Sequence, residues 1–195
     1  MRAMLRRAGV GTAVTAALVL SGCGDVARQG RAPQQLVVAS ILTATGSGTV
    51  PASFVNGPLL SDTVEDNGSV FDDFGQASLR LVAKNPTAPA PTELNDVTVT
   101  RYRVVYRRSD GRNVEGIDVP RSFDGAVNVT ISASGSANTV FELVRHAAKV
   151  ETPLVNIGTV VVTTIAEVTF FGRDLAGNEV SGTGNVQINF ANFGG

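Results

Sequence analysis

One stretch of alternating residues constrains the fold of this chain more than any other feature. It covers residues 97–109, VTVTRYRVVYRRS. One face of the extended segment carries Tyr102, Val104 and Tyr106, and the other carries Arg101, Arg103 and Arg107. A repeat of two residues is that of a β-strand, whose side chains point alternately to the two sides of a sheet. The segment therefore predicts a long strand with one face in a core and the other in solvent.

A turn signal follows this strand directly. Asp110-Gly111 favours a tight β-hairpin, so we predict a return strand over residues 113–119 that ends at Pro120. Other short apolar runs between turn residues predict strands at residues 36–43, 77–84, 126–132, 159–171 and 184–190. Residues 56–76 are predicted to be irregular, and so are residues 84–91, whose three prolines exclude an interior strand.

Residues 139–149 allow two interpretations. Asn138 can cap a helix, and the apolar residues after it recur at helical spacing. A strand over residues 140–145 is the alternative. The predicted fold class is all-β: an antiparallel, two-sheet β-sandwich of about seven strands, with one short helix near 139–149 if the first interpretation holds.

Cys23 is the single cysteine of the chain, and it ends the run Leu20-Ser21-Gly22-Cys23. Residues 1–22 contain three arginines and then an apolar stretch, which at about eleven residues is shorter than the ~20 of a membrane-spanning helix. This region resembles the signal peptide and lipobox of bacterial lipoprotein precursors. The resemblance implies that residues 1–22 are removed and that the thiol of Cys23 carries a lipid.

The lipobox resemblance predicts the organisation of the chain. It implies a signal peptide at 1–22, a lipidated N-terminus with a flexible linker at 23–35, and one β domain at 36–193. The membrane is then a partner through two or three acyl chains, which suffice for stable retention in the cell envelope. In the sorting rule of enteric bacteria, an aspartate directly after the cysteine retains a lipoprotein in the inner membrane. Asp25 stands one place later, which favours the outer membrane.

A second resemblance covers residues 159–190. The run at 168–178 (VTFFGRDLAGN) is similar to the last hairpin of bacterial immunoglobulin-like domains, where an apolar strand leads into Asp-x-Ala-Gly-Asn and a closing strand. The resemblance implies an immunoglobulin-like sandwich for the β domain. The two core cysteines and the core tryptophan of antibody-type domains are absent, and the resemblance implies a fold without indicating a ligand.

The densest charge cluster of the sequence is basic. Its five members are Arg101, Arg103, Arg107, Arg108 and Arg112. The preferred interpretation is a solvated sheet face whose arginine stems cover apolar surface. The alternative is a candidate binding surface, because the guanidinium fork suits carboxylate and phosphate groups. Like charges at this density need compensation, which we expect from the acidic segment 62–73 or from an anionic partner.

No arrangement of residues in the sequence predicts catalysis, a cofactor or a metal. His146 is the single histidine, and a nucleophile, a base and an orienting acid cannot be placed around it from spacing. The acidic segment 62–73 has oxygen ligands for Ca²⁺, but it matches no EF-hand spacing, and a solvated loop is the preferred interpretation. Three of the 16 basic residues lie in 1–22, so 13 remain against 17 acidic ones, which argues against nucleic acid as a partner.

The sequence therefore predicts a non-catalytic, lipid-anchored envelope protein. Its β domain would bind another envelope protein or an anionic surface polymer. A polysaccharide-binding module is the alternative. Sandwich domains that bind glycans usually present exposed aromatic side chains, whereas this chain has no tryptophan and both tyrosines, Tyr102 and Tyr106, fall on the predicted inward face.

Overall fold

The computed structural model describes residues 30–46, 53–64, 68–87 and 89–193. The predicted signal peptide and Cys23 lie outside these ranges. Within them, no helix is both long enough and apolar enough to cross a membrane.

Eight β-strands in the described residues form two sheets around one core. In chain order they are β1 (Gln34–Ala44), β2 (Leu59–Asp62), β3 (Asp73–Ala83), β4 (Val97–Arg107), β5 (Phe123–Ile131), β6 (Ser136–Val144), β7 (Val162–Asp174) and β8 (Glu179–Ala191). One sheet has the order β1–β3–β6 and the other β2–β8–β7–β4–β5. Neighbouring strands are antiparallel except β2 and β8, which run parallel. The predicted all-β, two-sheet sandwich is confirmed, with one parallel pair that was not predicted.

Side chains from the inner faces of both sheets fill the core. Tyr102 and Tyr106 on β4 are each only 2% exposed, as the alternation predicts. The Phe141 ring, from the opposite sheet, meets Tyr102 and Phe170 edge-on, at centroid distances of 5.1 and 5.3 Å. Edge-to-face contacts of this kind are favourable beyond the apolar area that they bury. Gly125 leaves room for this cluster, because a Cβ there would lie 2.2 Å from Cζ of Tyr102.

The predicted return strand over residues 113–119 is wrong. The partner of β4 on this side is β5, which follows a connection over residues 108–122. Inside the connection, the side-chain oxygen of Asn113 accepts a hydrogen bond from the backbone N–H of Arg108, at 2.6 Å. Such side-chain bonds offer the backbone an alternative to a strand ladder. Asp110-Gly111 therefore turns the chain without pairing the residues on its two sides.

Of the two interpretations of residues 139–149, the strand is confirmed up to Val144. Residues 139–144 are the second part of β6, which pairs with β3. The helix is wrong there, and the single helical turn α1 covers only His146–Lys149. Phe141 and Leu143 alternate into the core, so the apolar spacing that suggested a helix belongs to the inner face of a strand.

The remaining predicted strands are confirmed with shifted ends. β1 begins at Gln34, so the last residues of the predicted linker, 23–35, belong to the folded domain, and Ala32 is buried. The segment 56–76 is not wholly irregular, because it contains β2 and the start of β3 at Asp73. Four residues of β2 are too few to show a period in the sequence.

Candidate binding surface

The arginines of β4 lie on the outer face of the five-stranded sheet. Arg101, Arg103 and Arg107 are exposed there, as predicted. A β-bulge between Val99 and Arg101 shifts the register with both neighbouring strands. A bulge changes the direction in which side chains point. Consecutive side chains of a regular strand point to opposite faces, but at this bulge Thr100 and Arg101 are both exposed.

Carboxylates on the two neighbouring strands pair with these arginines. Asp124 on β5 lies 3.0 Å from Nη1 of Arg101 and 3.8 Å from Nη1 of Arg103. Glu167 on β7 accepts a hydrogen bond from Nε of Arg107 at 2.7 Å. Each of these side chains is more than a third exposed, so water screens the pairs and each stabilises the fold by only about 0–1 kcal/mol.

A shallow groove of about 540 Å³ opens beside Arg101 on the same face. The guanidinium of Arg101 lies over the ring of Phe171, 4.0 Å from its centroid, in a cation–π contact. Across the groove, Nη2 of Arg173 donates to Glu179 at 2.8 Å. Hydroxyl-bearing residues line the groove as well, namely Thr98, Thr100 and Ser181.

The other two arginines of the cluster gather around a single carboxylate at the turn. Arg108 donates to Asp110 from Nε and Nη2, at distances of 2.7 to 3.2 Å, and Nε of Arg112 donates at 3.3 Å. The hydrogen bonds from the Arg108 side chain, followed by that from the Arg112 backbone N–H, lower the pKa of Asp110 from 3.8 to about 2. The structure thus divides the predicted cluster into a strand group, Arg101, Arg103 and Arg107 on β4, and a turn group, Arg108 and Arg112.

The expectation that the acidic segment 62–73 compensates the arginines is wrong for its described residues. The carboxylate of Asp62 accepts from the backbone N–H of Val64. Asp72 pairs instead with His146, whose Nδ1 lies 3.0 Å away, and Asp73 points into the core. Glu65 and Asp66 lie outside the described residues.

The described part of the segment is also not arranged as a cation site. In the parts of the chain that the structure describes, no three His, Cys, Asp or Glu side chains are grouped so that they could hold a metal ion. The His146–Asp72 pair is exposed, with 62% of the histidine side chain open to solvent.

A buried ion pair is the feature that sequence reasoning missed. Nζ of Lys149, on α1, lies 2.9 Å from Oδ2 of Asp73, and the two side chains are 2% and 1% exposed. Ser61 on β2 donates to the same oxygen at 2.7 Å, and the backbone N–H of Gly46 donates to the other at 3.1 Å. Burial raises the pKa of Asp73, against the attraction of Lys149 and the hydrogen bonds, which lower it. The group ties together β2, β3, α1 and the segment after β1.

The comparisons with known proteins give no family. No family model matches the chain, and no curated protein matches it. A solved structure with a similar trace is the X-ray structure of the Northeast Structural Genomics Consortium target SoR45. The similarity covers 80% of this chain and 86% of that one, at 8% sequence identity and a TM-score of 0.37.

Proposed function

We propose that this protein is a lipid-anchored component of a bacterial cell envelope whose β-sandwich binds another envelope protein or an anionic surface polymer and catalyses no reaction. The observation that carries the proposal is the run Leu20-Ser21-Gly22-Cys23 after a basic and then apolar leader. Small residues directly before a lone cysteine are the features that lipoprotein processing needs, and lipid on that cysteine holds the sandwich at a membrane, with the outer membrane favoured.

The binding role rests on the strand group of arginines. Each guanidinium carries five N–H donors. The ion pairs with Asp124 and Glu167, together with the hydrogen bond from Nη2 of Arg103 to Ser122 at 3.3 Å, use only some of them. The remaining donors of Arg101, Arg103 and Arg107 are available to carboxylate or phosphate groups of a partner.

The proposed immunoglobulin-like character of the sandwich is supported by its last turn. The carboxylate of Asp174 accepts hydrogen bonds from the backbone N–H and the side-chain amide of Asn178, at 2.7 and 2.9 Å. The Asp and the Asn of the Asp-x-Ala-Gly-Asn run thus bind each other across the turn, and Gly177 between them has a φ of +87°, which glycine adopts without strain.

The polysaccharide-binding alternative ranks second. Such modules usually stack surface aromatic rings on sugars, and both tyrosines, Tyr102 and Tyr106, are buried, whereas Phe193 is 45% exposed. The ring of Phe171, at the groove, is already covered by Arg101.

The anchor is tested by replacing the proposed lipid-bearing residue. The mature wild-type protein should partition into the detergent phase of a Triton X-114 extract, and Cys23→Ser should leave the protein unprocessed or release it to the aqueous phase. A Cys23→Ser protein that is cleaved normally and stays with the membrane would overturn the proposal.

The binding surface is tested separately. Arg101→Ala combined with Arg103→Ala should keep the fold, by circular dichroism, and lose retention on a polygalacturonate or an envelope-protein column at low salt. Arg80→Ala, which removes an exposed arginine from the other sheet, is the matched control and should be retained like the wild type. Equal retention of all three proteins would show that this face is not the binding surface.

A further inference from the structure

We propose that the end of the sandwich from which the N-terminal tether leaves rests on the lipid bilayer through two exposed leucines, Leu94 and Leu175. The inference rests on the proposed lipid anchor at Cys23 and goes beyond it, because an anchor alone does not say which part of the domain contacts the membrane.

A chain of hydrogen bonds identifies the tether end of the sandwich. The carbonyl of Pro33, directly before β1, accepts a hydrogen bond from the backbone N–H of Lys84, and the side-chain oxygen of Gln34 accepts one from the backbone N–H of Ser134. The tether therefore enters beside the connection from β3 to β4 and the turn from β5 to β6.

Asp96 continues this chain of contacts to the far side of the same end. Its carboxylate accepts from the backbone N–H of Ala133, and its carbonyl accepts from that of Leu175, at 2.8 and 3.2 Å. Leu94 stands two residues before Asp96, in the short 3-10 turn at Glu93–Asn95. Both leucines thus belong to the end from which the tether leaves.

The two leucines are open to solvent at this end. Leu94 is 61% exposed and Leu175 is 62% exposed. Pro89 and Pro91, on the connection before the 3-10 turn, are exposed too. Burying such side chains is favourable wherever an apolar phase is within reach.

The tether is short enough to keep these two leucines close to the apolar interior of the bilayer. Gly30 is the first described residue, and Cys23 precedes it by seven positions. A chain of that length spans at most about 25 Å. β4 alone, with 11 residues, is about 36 Å long, so the tether is shorter than the sandwich. The bilayer is therefore the occupant that the position of these leucines favours.

A fluorescence experiment tests the contact. The chain contains no tryptophan, so Leu94→Trp and Leu175→Trp each introduce a single fluorophore at an exposed site. Ile117→Trp is the matched control, because Ile117 is 70% exposed and lies in the connection after β4, at the opposite end from Leu94. Each mature, lipid-processed variant is reconstituted into phosphatidylcholine vesicles with or without brominated acyl chains.

The expected result is a blue-shifted emission and strong quenching by brominated lipid for the variants at 94 and 175, with neither effect at 117. Unquenched emission at 94 and 175 from protein that floats with the vesicles would overturn the inference while leaving the anchor intact. A blue shift without quenching would point to a second protein copy over the leucines and would overturn it as well. Protein that fails to float would count against the proposed anchor itself.

Discussion

Among the aspartates of this sandwich that pair with basic side chains, Asp73 and Asp110 lie in surroundings that move their pKa values in opposite directions. Asp73 is 1% exposed and faces Lys149 across 2.9 Å, and burial raises its pKa. Asp110 is 43% exposed between Arg108 and Arg112, and hydrogen bonds lower its pKa to about 2. Inside the protein the loss of hydration outweighs the pairing, whereas at the surface the carboxylate keeps its water and the donors dominate. The proximity of opposite charges therefore does not by itself indicate how much a pair stabilises the fold.

The largest effect is expected from removing the partner of the buried carboxylate. Lys149→Met should lower the free energy of unfolding by about 3–5 kcal/mol, because it leaves an uncompensated charge in the core. Urea unfolding followed by circular dichroism measures this. Arg80→Met is the control, since Arg80 is a basic residue exposed on β3, the strand that carries Asp73, and a surface change of this kind should stay within about 0.5 kcal/mol.

A second variant separates the effect of the lysine charge on stability from the effect of the other contacts around the buried pair. Adding Asp73→Leu to Lys149→Met should restore most of the lost stability, because apolar replacement of a whole buried pair is often neutral. If the double variant is as unstable as Lys149→Met alone, then the hydrogen bonds from Ser61 and Gly46 to Asp73, or the packing around Lys149, matter more than the charge of the lysine.

The pH dependence of stability sharpens the comparison further. The raised pKa of Asp73 means that the folded state holds the proton more tightly than the unfolded chain, whose value is near 3.8. The contribution of this group to stability is then complete below pH 3.8 and is lost as the pH rises through the folded-state pKa. The stability advantage of the wild type over Asp73→Asn, which cannot titrate, should shrink on going from acidic to neutral pH. An advantage that grows with pH would mean that attraction to Lys149 outweighs burial.

The contrast between these sites also explains what the sequence could predict. The strand β4 was predictable because its alternation is local, and the exposure of Arg101 followed from the same pattern. The position of Glu167 on a strand was predictable as well, since this residue lies within the predicted strand 159–171. The Lys149–Asp73 pair was not, because it joins residues 76 positions apart and Asp73 stood in an acidic run that read as solvated.

Local signals misled where tertiary contacts decided the outcome. Asp110-Gly111 does turn the chain, but the strand that pairs with β4 lies beyond residue 122. The apolar residues of 139–149 fit a helix and a strand equally well over one turn. Pairing with β3 across Gly75, where a Cβ would lie 2.6 Å from the Phe141 ring, selects the strand.

A smaller effect is expected from the exposed pair between Arg107 and Glu167. In a double-mutant cycle of Arg107→Ala and Glu167→Ala, the coupling should be about 0.2–1 kcal/mol and should vanish at high salt. Unfolding in urea at low and high ionic strength gives both values. A coupling that persists at high salt would mean that this pair is shielded from solvent in the way that Lys149–Asp73 is, although its side chains are 54% and 38% exposed.

The smallest effect on stability is expected at Asp110, and it is visible in titration. The folded-state pKa lies below 3.8, so the contribution of Asp110 is present above that pH and is lost as the pH falls through about 2. Carboxyl carbon chemical shifts should report the low pKa, and Arg108→Ala should move it towards 3.8 while the unfolding midpoint barely changes. Arg112→Ala should move it less, because the backbone N–H of residue 112 still donates to the carboxylate after the side chain is removed. Equal shifts in both variants would mean that the nearby positive charges, and not these directed bonds, hold the pKa of Asp110 low.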